Sequence, residues 1–321
     1  MTSTTIPRSW SPQTVASPVG DAVWAPSIHN SQPWRFRCAG VGVEVRLDTA
    51  RRLAVCDPDG RAARISCGAA AYTLALALAM SGLPADCRLD DGDALVRLVP
   101  APARRVAGIE RRLYQQIHRR HTNREPFADR PIAAGEAAAL EEAARQEGGW
   151  LHFVTCEQEL WDLAALIRAA DAQLNANPAY LAELRAWSTA ADHRVEGVCR
   201  SAAGAAPHPA ELLTRRDFGG PAHLETRELS QRPAVAVLGA FGSDPAAEVR
   251  AGMALQRLLL TAADAGLAAA MFSQPIEVPA IRETLRRSVF AVHDPQLVLR
   301  FGYAPTTCYT NRRPVAEVMD R

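Results

Sequence analysis

Ala25-Pro26-Ser27-Ile28-His29-Asn30-Ser31-Gln32-Pro33-Trp34 is the stretch on which the reading of this chain turns. It crowds amide and hydroxyl side chains between two prolines. Each proline fixes its own φ, so less freedom is lost when such a loop closes on a ligand. Asn30 and Gln32 each offer donors and acceptors, the combination needed to meet the edge of a heterocycle. The alternative is a well-ordered turn whose Asn and Ser side chains bond only to their own backbone.

Outward from that loop, Pro12–Ala25 reads as a helix that delivers it. Trp34–Cys38 and Val41–Asp48 alternate apolar and polar residues around a glycine-containing turn and read as a β-hairpin. Asp57-Pro58-Asp59-Gly60 signals a turn. Arg61–Ser81 is small or apolar on nearly every face, the pattern of a buried helix, and Gly82 suits its C-terminal cap. Its longest apolar run, Ala69–Met80, falls short of the roughly 20 residues that a bilayer requires. Strands at Asp86–Leu89 and Ala94–Val99 and an Arg-rich helix at Val106–Arg120 complete this series.

The order then partly repeats, with helices at Ile132–Glu147 and Glu157–Gln173 on either side of a strand at Trp150–Val154. A strand at Arg232–Leu238, a long helix at Ala246–Gly266, a short helix at Glu277–Leu285 and a strand at Gln296–Gly302 follow. Arg61–Gly82 and Ala246–Gly266 are both long, rich in small residues and closed by Gly-Leu, a weak sign of internal duplication. Asn175–Ser230 interrupts the second series without sustained periodicity. Segments this long are lids or linkers, and Tyr180 and Trp187 favour packing of at least its start.

Three further clusters carry chemistry. Arg119-Arg120-His121-Thr122-Asn123-Arg124 gathers cations and a hydroxyl as a phosphate requires, although a solvated basic face has the same composition. Asn311-Arg312-Arg313-Pro314 again suits an anion, or else a surface tail. Gly266–Pro275 follows a helix end with small residues, which let backbone approach a flat ring closely. All 36 cationic side chains are Arg, and the absence of Lys excludes a pyridoxal Schiff base and a Walker-type phosphate loop. Any anionic ligand must be held by Arg, His or backbone N–H groups.

Other features exclude further classes. A net charge of +1 gives no basic field for nucleic acid or a membrane surface. Seven cysteines without a C-x-x-C spacing read as reduced thiols, and the first twenty residues show no leader pattern, so a cytoplasmic protein is expected. H-E-x-x-H, paired-Cys, EF-hand, G-x-S-x-G and G-x-G-x-x-G patterns are absent, which argues against metal, hydrolase and Rossmann chemistry.

Taken together, these motifs resemble the nitroreductase-like FMN-dependent oxidoreductases, and more closely their internally duplicated Acg-type branch. Pro26–Trp34 fits the family pattern P-S-x-x-N-x-Q-P-W at every fixed position. Arg120–Arg124 is similar to the family's R-R-S-x-R segment, with His121 and Thr122 replacing Arg and Ser. Gly266-Leu267 and Arg312-Arg313-Pro314 match its helix end and C-terminal basic clamp. The resemblance covers roughly Pro12 to Val318 and is weakest over Asn175–Ser230. It implies an α+β, nitroreductase-like fold of two tandem halves, 1–108 and 109–321, with a lid insertion at 175–230. The halves would form an intramolecular pseudo-dimer with central mixed or antiparallel sheets flanked by helices, and a monomeric chain.

Because neither motif occurs twice, the resemblance implies one complete FMN site and one degenerate site. Pro26, Ser27, Ile28 and Asn30 would come from the first half. Arg120, His121, Thr122, Arg124, Arg312 and Arg313 would hold phosphate, ribityl chain or pyrimidine edge, and backbone near Ser273 and Gln274 would face the reactive ring nitrogen. The implied reaction is a ping-pong exchange from NAD(P)H to a nitroaromatic, quinone or similar planar acceptor, with no obligatory protein acid or base. The alternative is an FMN-sequestering protein whose lid fills the stacking space with Trp187 or Phe218.

Overall fold

Ser11 opens the first helix. Its hydroxyl accepts the N–H of Thr14 (3.2 Å), and Pro12 occupies the first turn, where a missing N–H costs nothing. The computed structural model describes residues 9–90, 92, 94–189, 193–221, 234–289, 294–305 and 309–320. Cys308, the expected strand start at Arg232 and the distal insertion from 222 to 230 lie outside these described residues.

Helix α1 (Pro12–Ala22) ends three residues before its expected limit and leads into the Pro26–Trp34 loop. Strands β1 (Trp34–Ala39) and β2 (Gly42–Leu47) form the expected hairpin, in register from Trp34↔Leu47 to Ala39↔Gly42. Helix α2 (Arg61–Met80) precedes β3 (Ala85–Leu89) and β4 (Ala94–Pro100). After α3 (Gly108–Gln116) and α4 (Ala134–Gln146) come β5 (Gly149–Phe153), α5 (Glu157–Asn175) and α6 (Pro178–Trp187). The short strands β6 (Ser188–Thr189) and β7 (Val198–Cys199) precede β8 (Ala234–Ala240), α7 (Pro245–Asp264) and β9 (Ala268–Phe272). The chain finishes through α8 (Gln274–Glu277), α9 (Pro279–Val289), β10 (Asp294–Gly302) and α10 (Val315–Val318).

The chain is α+β, and its described strands form two main sheets. One has the order β1-β2-β4-β3 and the other β5-β8-β10-β9, so each follows the same first-second-fourth-third path. All strand pairs within both sheets are antiparallel, which narrows the expected mixed or antiparallel arrangement; the two-residue pair β6–β7 is parallel.

Helices α2 and α7 occupy the same place in the two series and pack against each other as the seam of the molecule. Each is 20 residues long, at an offset of 184 (245 − 61). The offset persists through their ends, where the N–H of Leu83 bonds to Leu78 and that of Leu267 to Ala262, both at 2.8 Å. At the crossing, a Cβ on Gly68 would lie 2.1 Å from the carbonyl oxygen of Val249. One on Gly252 would lie 2.0 Å from that of Ile65. Only glycine lets the two backbones approach this closely, and the contacts are reciprocal between equivalent positions. Gln256 donates to Thr73 (2.9 Å), Arg257 to Tyr72 (3.5 Å), and Arg64 pairs with Glu248.

As a whole, α2 is long and apolar enough to cross a membrane, a point that the shorter run Ala69–Met80 concealed. Here 83% of its apolar window is buried inside the protein, so the seam accounts for its composition.

The last residues return to the first sheet. Met319 bridges Phe36, the N–H of Asp320 bonds to the Phe36 carbonyl (2.8 Å), and Val318 enters the core beneath β1. By packing, this tail belongs with the first series although it follows the second in sequence.

The described part of the insertion, 175–189 and 193–221, is better packed than its composition suggested. Asn177 caps α6 by accepting the N–H groups of Ala179 (3.0 Å) and Tyr180 (3.4 Å), with Pro178 in the first turn. Tyr180 and Leu184 pack on Leu53 and Cys56, and the Glu183 carboxylate accepts the N–H of Cys56 (2.8 Å). Further on, backbone packs on backbone: a Cβ on Gly204 would lie 2.3 Å from the Arg124 carbonyl, and one on Gly220 1.7 Å from that of Gly204.

Candidate functional site

The expected helix at Val106–Arg120 stops at Gln116. Arg120 is thereby released into an extended segment stitched to the edge strand β9. Thr122 bridges Ala269, and the N–H of Asn123 bonds to the Ala269 carbonyl (2.8 Å). Successive side chains of an extended segment point to opposite sides. Arg120, Thr122 and Arg124 all line one small pocket of about 30 Å³, with His121 at its edge, while Asn123 turns inward and donates to the Glu125 carbonyl (2.7 Å).

Arg312 enters the same pocket from the C-terminal tail. Its Nη2 (3.5 Å) and that of Arg120 (3.1 Å) both donate to the Trp24 carbonyl, so the two guanidinium groups converge. Arg124 donates to the Ala202 carbonyl (2.9 Å) and lies over the Phe218 ring at 5.0 Å. Among the described residues none of the three has a carboxylate partner. Nε and Nη1 of Arg120 and Nε of Arg312 are buried without any acceptor. Burial, with Arg124 beside it, pushes Arg120 down to about 10. Burial, then Arg120 and Arg124, pushes Arg312 down to about 9. Burial and Arg216 pull Arg124 down to about 10. Arg120 is buried and Arg124 and Arg312 are half-buried, and cations withdrawn from water without counter-charge are costly, so the cluster is suited to an external anion.

The pocket adjoins a larger cavity of about 330 Å³, within the size range of small-ligand sites. Pro26, Ser27, Thr122 and Arg124 line both. The larger cavity also takes Ile28 from the first-half loop and Ser273 and Gln274 from the β9–α8 junction. Asn30 and His121 line the small pocket. His121 Nδ1 is 3.1 Å from the Arg119 carbonyl, its ring meets Tyr309 edge-on, and burial lowers its proton affinity.

Two expectations fail in detail. Arg313 lines neither cavity. Its Nη2 donates to the Glu317 carbonyl (2.8 Å), and its N–H donates to Gln32 Oε1 (2.8 Å). It ties the tail to the loop. Asn30 and Gln32 spend their amide N–H groups on backbone: Asn30 donates to the carbonyls of Gly197 (3.0 Å) and Asn311 (3.1 Å), and Gln32 to that of Val195 (2.7 Å), while Asn30 still lines the small pocket. These bonds hold a strained loop, since His29 (φ 48), Asn30 (φ 54) and Gln32 (φ 51) are all left-handed. Such conformations cost of order 1–3 kcal/mol each and persist where surrounding contacts over-determine them. Of the two aromatic residues expected over the cavity, Phe218 lines it, whereas Trp187 packs with the core around α6.

Sequence reasoning missed the group beside Phe218. Arg216 donates through Nη2 to both Glu277 oxygens (2.7 and 2.6 Å), and its Nη1 meets His29 Nε2. Burial opposes the Arg216 charge, but Glu277, helped by Tyr180 and Cys56, holds its proton affinity above the ordinary value. Neighbouring Arg215 donates to the Arg124 carbonyl (2.7 Å) and forks onto Glu211 (3.0 and 2.7 Å), latching the insertion to the cationic segment. No periodic pattern marked Arg215 and Arg216, because they lie in an irregular segment.

No family model matches the chain. It is similar to a Mycobacterium tuberculosis protein provisionally named NAD(P)H nitroreductase Rv3131, at 30% identity over 96% of this chain and 91% of the relative. It is also 30% identical to the similarly named acg of that organism, over 95% of this chain and 94% of the relative. Among solved structures it is similar to a Bacteroides fragilis nitroreductase with bound FMN, at 16% identity over 63% of this chain and 92% of that one, with a TM-score of 0.39. A Desulfitobacterium hafniense nitroreductase with bound FMN gives 15% identity over 65% and 97%, with a TM-score of 0.41. Through its extended identity with the two mycobacterial proteins, the chain belongs to the nitroreductase-like family that contains Rv3131 and acg.

Proposed function

We propose that the chain is an FMN-dependent oxidoreductase with one composite site, which takes reducing equivalents from NAD(P)H to a nitroaromatic, quinone or similar planar acceptor. The observation that carries this reading is the carboxylate-free cluster Arg120–Arg124–Arg312 beside a cavity of about 330 Å³. The donors fit the group. Guanidinium groups suit a phosphate through paired charge-assisted bonds, and Thr122 adds a hydroxyl. The larger cavity would hold the ring system against Pro26, Ser27 and Ile28 on one side and Ser273 and Gln274 on the other. The flavin supplies two-electron redox chemistry when bound.

The chain's own part is to bind, orient and screen. The arginines neutralise the phosphate, the rigid loop and β9 fix the ring plane, and the insertion latched by Arg215 shields the site from water. On this reading the halves 1–108 and 109–321 each supply one part of the site, with the 175–230 insertion laid over it.

The test is an absorbance spectrum of purified protein before and after anaerobic NADPH and NADH. About one FMN per chain, bleached within seconds, is the expected result. A flavin that dithionite reduces but neither nicotinamide does would overturn NAD(P)H use and leave sequestration. A colourless protein that FMN cannot reconstitute would overturn the cofactor as well.

A further inference from the structure

The phosphate clamp makes no use of His29, although this residue lines the larger cavity and is only 5% exposed. Three segments meet around its ring: the first-half loop that carries it, the insertion through Arg216 and Phe218, and α8 through Glu277. Phe218 packs edge-on at 5.6 Å, and Arg216 is fixed by its fork onto Glu277. The contact between Arg216 Nη1 and His29 Nε2 decides the chemistry of the ring. A guanidinium is a donor only, so Nε2 must present its lone pair, and a neutral imidazole then carries its proton on Nδ1. Burial, reinforced by Arg216 and Arg124, holds the ring neutral by keeping its proton affinity well below the ordinary value. Nδ1 is buried and has no partner among the described residues. Arg216 Nε and Gln296 Nε2, the other partnerless buried side-chain atoms on this cavity, are donors too. Gln296 is held that way round because its Oε1 accepts from Arg61 (2.7 Å).

We propose that His29 donates a hydrogen bond from Nδ1 to an acceptor atom on the edge of the planar ligand in this cavity, and that Arg216, braced by Glu277, is the positioning residue that fixes the required tautomer. The inference rests on the FMN reading insofar as the acceptor edge is that of the isoalloxazine; a planar substrate bound alone would offer the same chemistry. A donor to a ring atom that gains negative charge on reduction favours the reduced form. Removing it lowers the reduction potential of the bound flavin.

The first measurement is a long-range proton–nitrogen correlation spectrum of histidine-labelled protein near neutral pH, without ligand and with FMN. His29 should show the Nδ1–H tautomer throughout, and its Nδ1 signal should shift on adding FMN. An imidazolium or an Nε2–H ring would overturn the proposal. Arg216→Met should release the tautomer. If that variant does not fold, the wild-type spectrum still decides.

His29→Phe keeps a ring and removes the donor. It should weaken FMN binding about 3- to 10-fold and lower the bound flavin's potential by up to about 30 mV, a tenfold change for two electrons. His29→Gln should recover part of both losses. Unchanged affinity and potential in His29→Phe would overturn the proposal. Should FMN not bind the wild type at all, the cofactor reading fails first, and titration with 1,4-naphthoquinone takes its place. A shift of Nδ1 then upholds the donor role for another ligand, and no shift ends it.

Discussion

Helix α2 begins beside a cavity, whereas its counterpart α7 begins at the surface. Over their length the two are interchangeable in form, with equal spans, reciprocal glycine contacts and matching Gly-Leu ends. At their starts they differ. Asp57, buried, accepts the N–H groups of Ala62 (3.0 Å) and Ala63 (2.9 Å) and lines the larger cavity. Asp244, with its side chain 64% exposed, accepts the N–H of Ala247 (2.6 Å), and no residue from 241 to 250 lines either cavity. The Pro26–Trp34 loop and the insertion gather over one end of the seam. Seam residues thus answer to packing from both series, while the chemistry answers to whatever is laid across one end.

Four experiments would break or sharpen this comparison. The largest effect is expected at the crossing. Gly68→Val and Gly252→Val should each cost about 3 kcal/mol or more, because each added side chain meets a backbone carbonyl that cannot move aside. Urea unfolding should show similar losses for the two; a large difference would deny their equivalence. Next, Arg312→Met should weaken FMN binding about 10- to 100-fold, the worth of a charge-assisted bond. It should also raise the melting temperature of FMN-free protein, since a buried unpaired charge is removed. A fall in both would place Arg312 in the framework instead of the clamp.

Arg313→Ala tests the neighbouring residue in its structural role. It should cost about 1–2 kcal/mol of stability and reduce FMN affinity less than Arg312→Met does, as calorimetry would show. The smallest effect concerns the two helix caps. Burial pushes the Asp57 carboxyl from its ordinary 3.8 up to about 6. Between those values the folded state binds more protons than the unfolded state, so this contribution to stability is present below 3.8 and is lost as pH rises through about 6. Asp57→Asn should flatten that part of the stability profile, and Asp244→Asn serves as the control.

The framework and half of the site were legible in the sequence for identifiable reasons. Both seam helices announce themselves through long runs of small and apolar residues, and α2, apolar on nearly every face, has nowhere to go but inside. The Arg120-x-Thr122-x-Arg124 spacing survives the misplaced helix end, since residues two apart share a side of an extended segment. The backbone bonds of Gln32 and the tail contacts of Arg313 could not be read, because an amide or guanidinium that binds a ligand and one that binds distant backbone are identical in sequence. Helix α6 was not read, because it lies in a stretch without sustained periodicity and its Asn177-Pro178 start resembles a turn as much as a cap. The His29–Arg216–Glu277 cluster was not readable: its members lie 187 and 61 positions apart and meet only through the fold.

Arg64 and Glu248 occupy equivalent positions in the seam yet carry opposite charges. Two α2 helices from different chains would set Arg64 against Arg64, and two α7 helices would set Glu248 against Glu248. Only α2 against α7 is neutral. During synthesis at high local concentration, when the first half is exposed before the second is complete, that pair therefore acts as a label. It disfavours like halves that meet prematurely and leaves each nascent first half to wait for its own second.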